Sequence, residues 1–491
     1  MSDIPSLHQL IRSSAAHPAH ASSVLADAHQ RCAYPQLPGF LDAIQQFLGN
    51  AGAQRGDCIT VELSSSLPSA LTVLALLDAE HSFSMLPLEG LGARAASTEI
   101  PAPRFAKWIL SVRADASRRA VKLSDPADFL RLRTNPDYQP APSLTASGPP
   151  RLYGRTSGSL GAAKLAVRHY SRLIEQIPPV IERLRLESSH RIALPIPIFH
   201  LYGLGVAFLP ALVAGASIDL QERANLLSFL EREESFEPNA AFMTPTFCEA
   251  LLRARKAPRP YRFIVTGGDC ISESARTKSE SVHGPLINAY GCTELGLIAI
   301  SDVGMPAALR SGTVGRPLPD VEVRFIEREG GTELQVRRAR AFDGYVDLNG
   351  NELQVPATFD GEWYCTKDLS APGAEGTLRI LGRCDLSVNR NGMLLPFGDV
   401  ESRLRAIEGV EDAAVAAGPE DIRGRALVAF CVVPKGRWSS QGLRARYAER
   451  APAFAVPDTV CIVDVLPKLA NGKLDRRRLA TMAQHASEQQ A

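Results

Sequence analysis

Short apolar segments recur between residues 58 and 290, separated by stretches of helical composition. This alternation limits the folds open to the chain more than any other feature. Segment 58–63, Cys-Ile-Thr-Val-Glu-Leu, reads as a strand entered from Gly56-Asp57. Ser64-Ser65-Ser66-Leu67-Pro68 is a plausible helix entry, residues 70–79 have helical composition, and the apolar 83–87 follows. Strand candidates return at 191–195, 216–220, 261–266 and 286–290. Such alternation predicts a mainly parallel sheet covered by helices on both faces. Residues 141–150, rich in Pro, Ser and Gly, read as a surface connection.

From Gly312 the texture changes to short β segments with Gly and Pro turns (321–326, 333–337), which predicts a smaller β-rich subdomain. A second boundary falls near Asp385. Beyond it Val400, Leu404 and Ile407 share one helical face, and 426–433 is an apolar strand candidate. The expected fold class is α/β: a large N-terminal domain (1–384) of parallel-type sheets with helices plus a β-rich subdomain, then a small α+β C-terminal domain (385–491). The polar tail from Gln484 reads as frayed.

Composition excludes several classes of function. At 491 residues and 45% hydrophobic content the chain can bury large cores, and its length favours two or more domains. Its 54 basic and 53 acidic residues leave a net charge of +1, so no polyanion such as nucleic acid is expected as a partner. Nine cysteines without CxxC pairs fit reduced thiols better than disulfides. The N-terminus, Met1-Ser2-Asp3-Ile4-Pro5, lacks the regions of a signal peptide. The longest apolar run, 201–218, is interrupted by Pro210 and reads as buried core, not a membrane span. A soluble, cytoplasmic protein is expected.

Five segments carry candidate chemistry. Thr156-Ser157-Gly158-Ser159-Leu160-Gly161-Ala162-Ala163-Lys164 offers glycines that let backbone approach phosphate, hydroxyl donors and a cation. It is not a Walker loop, because the Gly-Lys spacing is wrong and Leu165 stands where a metal-binding Ser or Thr would. Alone it would often be an ordinary turn. Tyr290-Gly291-Cys292-Thr293-Glu294 follows an apolar strand, where a parallel sheet opens its ligand crevice. Its plain alternative is a glycine turn before a helix starting at Thr293. Trp363-Tyr364-Cys365-Thr366-Lys367-Asp368 and Gly382-Arg383-Cys384-Asp385 add a carboxylate and a guanidinium. Lys473, in Asn471-Gly472-Lys473-Leu474-Asp475-Arg476, would by itself be a solvated turn lysine.

In this order and at these separations the segments closely resemble the adenylate-forming superfamily of acyl- and aryl-CoA synthetases, adenylation domains and luciferases. The resemblance runs from about Gly56 to Leu479. It implies that 156–164 is the flexible phosphate loop, with Thr156, Ser157, Gly158, Ser159, Gly161 and Lys164 contacting nucleotide. The loop departs from the family pattern at Leu160 and Ala163. Tyr290 and Gly291 would lie near adenine, Thr293 would meet phosphate, and Glu294 would help hold Mg²⁺, for which a carboxylate is the right ligand type. Asp368 would accept from both ribose hydroxyls, with Lys367 where the family has glycine. Arg383 would contact ribose or phosphate. Asp385 would be the pivot of a mobile C-terminal lid, and Lys473 would reach the carboxylate and α-phosphate during adenylation. Arg476 and Leu479 also match.

Pro197-Ile198-Phe199-His200-Leu201-Tyr202-Gly203 is similar to the segment bordering the acyl pocket. His200 stands where an Asp would pair with an α-ammonium group, which argues against amino-acid substrates and makes His200 a catalytic-site candidate. Gly267-Gly268-Asp269 would close the far side of the pocket, with Gly268 and Asp269 near nucleotide. Cys270, Cys292 and Cys365 lack the His/Asp partners of a nucleophile and read as core residues.

The implied activity is a ligase reaction in two halves. A carboxylic acid and MgATP give acyl-adenylate and pyrophosphate, and a thiol then takes the acyl group. Asn389 stands where many relatives have lysine, and coenzyme A and the phosphopantetheine arm of an acyl carrier protein both remain open as acceptor. Aryl and fatty or unsaturated acids both fit. A second class of function is a degenerate homologue that binds nucleotide or acyl groups, or acts as a scaffold, without turnover; Leu160, Ala163, Lys367 and Asn389 are its support.

Overall fold

The computed structural model describes residues 5–88, 101–113, 115, 119–141, 149–155, 164–221, 225–255, 257–269, 271, 273–328, 331–339, 342–353, 359–390, 393–421, 424–468 and 474–488. The chain divides into two compact units. One comprises Met1–Val321, Arg338–Pro356 and Ala374–Thr377; the other comprises Glu322–Arg337, Ala357–Gly373 and Leu378–Ala491.

The first unit holds two sheets. Among the described residues the larger has nine strands, in the order Arg316–Pro317, Gly296–Ile300, Leu286–Cys292, Phe263–Gly267, Ala240–Met243, Arg191–Leu194, Ser217–Leu220, Val24–Ala26, Arg31–Ala33. The six from Leu286–Cys292 to Val24–Ala26 run parallel, and the strands flanking them are antiparallel. The second sheet has the same plan: Arg151–Arg155, Ser82–Pro87, Cys58–Leu63 and Trp108–Val112 are parallel, and antiparallel strands close both sides. The parallel centre predicted by the alternation is present. At the margins some pairs are close in sequence, as Val24–Ala26 with Arg31–Ala33 and Leu286–Cys292 with Gly296–Ile300, where a connection this short allows only antiparallel pairing.

Burial explains the sequence texture. Every residue of helix Leu67–Asp78 is buried, including its terminal carboxylate. Asp78 is held by Arg12 (2.6 Å), Gln45 (2.6 Å) and His8 (2.9 Å), which ties the helices Leu7–Ala16 and Leu37–Asn50 to it. Burial pushes the Asp78 carboxyl up, but the Arg12 and Gln45 hydrogen bonds outweigh it and hold its pKa below the ordinary value. The apolar run 201–218 contains a π-helix, Tyr202–Phe208, continued by Leu209–Val213, and is core as expected. Among the described residues no helix is long and apolar enough to cross a membrane.

The second unit contains two further sheets. In one, Glu322–Arg328, Gly331–Arg337, Trp363–Pro372, Phe359–Asp360 and Leu378–Arg383 form an antiparallel array, the β-rich segment expected after Gly312. The other is built on Asp412–Asp421 and Gly424–Val432. One of its faces buries Leu427, Ala429 and Cys431 against Val400, Leu404 and Ile407. The opposite face buries Val428 and Phe430 against Leu466, Leu479 and Ala483. Covering both faces is why 426–433 reads as a continuous apolar run instead of alternating.

Candidate functional site

In the first unit the predicted phosphate-side segments meet. Residues 156–163, and with them Thr156, Ser157, Gly158, Ser159 and Gly161, lie outside the described residues. Their flanks do not: Arg151–Arg155 pairs antiparallel with Leu165–His169, with Arg155 opposite Leu165. Gly154 abuts the Thr293 side chain, so closely that a Cβ on residue 154 would lie 2.9 Å from its methyl. A larger residue at 154 would push the strand away from Thr293.

Tyr290-Gly291-Cys292 ends a strand, and the chain turns through Thr293, Glu294 and Leu295 directly into Gly296–Ile300. No helix starts at Thr293, so the plain alternative for this motif fails. The turn is tight because Gly291 packs on its own return strand: a Cβ there would sit 2.2 Å from the Gly296 carbonyl. Glu294 is 8% exposed, and its Oε1 accepts a 2.6 Å hydrogen bond from the Tyr345 hydroxyl. The ammonium of Lys164 lies 3.9 Å from the centre of the Tyr345 ring, a cation–π contact. Tyr345 therefore links the last residue of the predicted phosphate loop to the predicted metal ligand. Sequence reasoning missed it, and nothing local marks it.

Among the described residues no group of three or more His, Cys, Asp or Glu side chains could hold a metal ion. A lone carboxylate with one oxygen anchored by tyrosine suits Mg²⁺, which usually keeps waters and substrate phosphates as its other ligands.

The predicted acyl-side segments also converge. The Tyr202 hydroxyl donates toward the carbonyls of Val265 (3.0 Å) and Met243 (3.3 Å), on two neighbouring parallel strands. Its ring closes on Gly267, where a Cβ would come within 2.9 Å. Gly203 allows the π-helix to pack on the chain before it, since a Cβ there would fall 2.1 Å from the Pro197 carbonyl. π-Helical turns are uncommon and concentrate at functional sites. His200 is exposed, with its ring 4.7 Å from that of Phe199. Gly268 takes a positive φ of 90°, and Asp269 is exposed.

In the second unit Asp368 lies opposite Arg383 across an antiparallel pair, and Arg383 Nη1 donates to Asp368 Oδ1 at 3.3 Å. Thr366 braces the turn, donating to the Leu334 carbonyl and accepting from the Asp368 amide. Lys367 has φ 60°, a left-handed conformation that favours glycine. We expect Lys367→Gly to stabilise this unit by about 0.5 kcal/mol, because relief of backbone strain exceeds the added entropy of the unfolded chain. A urea titration with a raised midpoint and unchanged slope checks this.

Lys473 lies outside the described residues. The chain on either side of it is pinned: Lys468 and Leu474 form an antiparallel bridge, and the Asp475 amide donates to the Pro467 carbonyl. Arg476 then pairs with buried Glu401 (2.6 Å), and Leu479 is fully buried. Asp385 falls in the short 3-10 turn Cys384–Leu386. The eight described cysteines form no disulfide with one another, and burial raises the Cys365 thiol pKa, as suits a packing residue.

The AMP-binding enzyme family matches residues 107–346, and the AMP-binding enzyme C-terminal domain matches 399–473. A 4-coumarate–CoA ligase-like protein of Oryza sativa subsp. japonica is 26% identical over 370 residues, covering 71% of this chain and 66% of that protein. Bacitracin synthase 3 of Bacillus licheniformis is 24% identical over 485 residues, 93% of this chain and 7% of its own length. The match spans 66%, 65% and 62% of the lengths of the first three curated relatives. The ATP-bound structure of MatB from Rhodopseudomonas palustris shares the fold, with a TM-score of 0.76 at 18% identity over 97% of this chain and 99% of that one.

Proposed function

Because the chain belongs to the adenylate-forming, AMP-binding enzyme family, we propose that it activates a carboxylic acid with ATP and passes the acyl group to a thiol. The observation that carries this reading is the meeting of Lys164, Tyr345 and Glu294 beside the turn at Thr293. A carboxylate oxygen of the acid attacks the α-phosphorus, pyrophosphate leaves, and the mixed anhydride is acyl-adenylate. A thiolate sulfur then attacks the acyl carbon, forming the thioester and releasing AMP.

Each step builds negative charge among phosphates, so preorganised donors and cations are what the protein must supply. The loop 156–164 supplies backbone donors and the Lys164 charge. Glu294 would meet the Mg²⁺ that travels with ATP, which supplies charge neutralisation on the departing pyrophosphate. Asp368 takes the ribose hydroxyls with Arg383 beside it, and Lys473 serves the attack on the α-phosphorus. The boundary at 384/385 separates the nucleotide-binding region from a lid that turns at Asp385.

For the substrate, an aryl or unsaturated acid is favoured. The Tyr202 ring, packed on Gly267, offers an aromatic surface to a flat group, and His200 lacks the carboxylate that would pair with an α-ammonium. The acceptor is coenzyme A or a carrier-protein phosphopantetheine arm; the named relatives include a CoA ligase-like protein and a bacitracin synthase. Described cysteines that form no disulfide with one another support a cytoplasmic setting.

Acid-dependent ATP–pyrophosphate exchange, run across benzoates, cinnamates and fatty acids of graded length, tests the reading. Exchange with one group of acids identifies the substrate class. A protein that binds ATP but exchanges with none of them is the non-catalytic binder instead. Asp368→Ala should weaken nucleotide binding in both half-reactions by about one to two orders of magnitude, since a charge-assisted hydrogen bond is worth roughly 1.5–3 kcal/mol. A defect confined to the thiol step would contradict the ribose assignment.

A further inference from the structure

Arg168 carries a charge with no ion-pair partner among the described residues. It is 1% exposed, yet its Nε and Nη2 have no hydrogen-bond partner among the described residues, and its Nη1 makes only a marginal 3.5 Å contact with the Thr293 carbonyl. The neighbouring arginines are provided for. Arg338 pairs with Asp320 at 2.6 Å and donates to the carbonyls of Leu295 and Leu297, and Arg172 pairs with Glu175 and the Ala339 carbonyl. Space has been kept for Arg168 all the same. Gly296, at φ 72°, lies under its guanidinium, so that a Cβ would fall 2.6 Å from Nη2. Burial first, then Arg338 and Arg172, lower its pKa to about 10, against the opposing pull of Cys292 and Glu294; it stays protonated at neutral pH.

Leaving a buried charge unpaired is costly, and replacing such a group by an apolar one of similar volume often stabilises a protein. A residue kept against that gradient serves something other than the fold. We infer that Arg168 is a positioning residue for the nucleotide site, a buried positive charge behind the Thr293–Gly296 turn whose field favours the polyphosphate and which steadies the turn through the Thr293 carbonyl. The inference rests on the proposed nucleotide site. Buried as it is, Arg168 would act through low-dielectric protein, where a charge about 10 Å away still changes the affinity for each ligand charge by roughly tenfold.

Field and scaffold make different predictions. In calorimetric titrations of the full-length protein, Arg168→Met should weaken metal-free ATP by at least about tenfold, weaken MgATP less because it carries less charge, and leave adenosine within about twofold. Its melting temperature should equal or exceed that of wild type. Arg168→Lys, which keeps the charge, should hold metal-free ATP within about threefold of wild type. Equal loss for all three ligands, or a lowered melting temperature with unchanged ATP affinity, would show a merely structural arginine and overturn the inference. Should Arg168→Met not fold, the Lys variant decides: if folded but with adenosine and ATP weakened alike, it overturns the inference too. A wild-type protein that bound no nucleotide would overturn the proposed function along with it, whereas normal binding by wild type and by Arg168→Met would overturn this inference alone.

Discussion

Lys473→Ala is expected to lower acid-dependent pyrophosphate exchange by about two to three orders of magnitude, the usual cost of one preorganised charge contact at a developing charge. Thioester formation from pre-made acyl-adenylate should stay close to wild type. The asymmetry follows from the role proposed for Lys473, whose ammonium is needed only while the carboxylate attacks the α-phosphorus. The variant should fold normally, because the flanks of this lysine are fixed by contacts that its side chain does not make: the Lys468–Leu474 bridge and the Arg476–Glu401 ion pair. Both half-reactions should be measured on one preparation. Near wild-type exchange would remove Lys473 from the chemistry, and equal loss in both halves would point to a general defect.

Glu294→Gln should lower exchange by about two orders of magnitude at fixed Mg²⁺, with partial recovery as Mg²⁺ is raised. An amide keeps the shape of the side chain and an oxygen for the 2.6 Å Tyr345 hydrogen bond, so the turn at Thr293 should survive. What is lost is the negative charge that makes the side chain a ligand for a hard cation. Calorimetric titration of MgATP gives an independent reading and should show weaker binding. If exchange fell without any dependence on Mg²⁺, Glu294 would serve the turn and not the cation.

Tyr345 bears on how these effects divide. It sits 51 residues from Glu294, pairs by backbone with Ala166 two residues after Lys164, and has no signature of its own in the sequence. The motifs around Lys164 and Glu294 could be recognised separately; the tyrosine that joins them could not. Arg168 is a similar case. A lone arginine in an apolar strand reads as an edge or surface residue, and only the return of the chain 125 residues later buries it behind the Thr293 turn.

What the sequence determined by itself was the local structure. The alternation of apolar strands and helical stretches predicted the parallel centres of both sheets, and the change of texture after Gly312 predicted the β-rich segment. The apolar segment before Tyr290 placed that motif at a strand end, because residue period and backbone freedom act over only a few residues. Tertiary structure decided the rest. It set the antiparallel margins, the π-helix that lays Tyr202 against Gly267, and the left-handed Lys367 beside Asp368. It also brought Lys164, Tyr345 and Glu294 into one chain of contacts and left Arg168 without an ion-pair partner among the described residues. Each of these depends on segments far apart in the chain being packed together, where the energy of a contact belongs to neither segment alone and so leaves no mark in either.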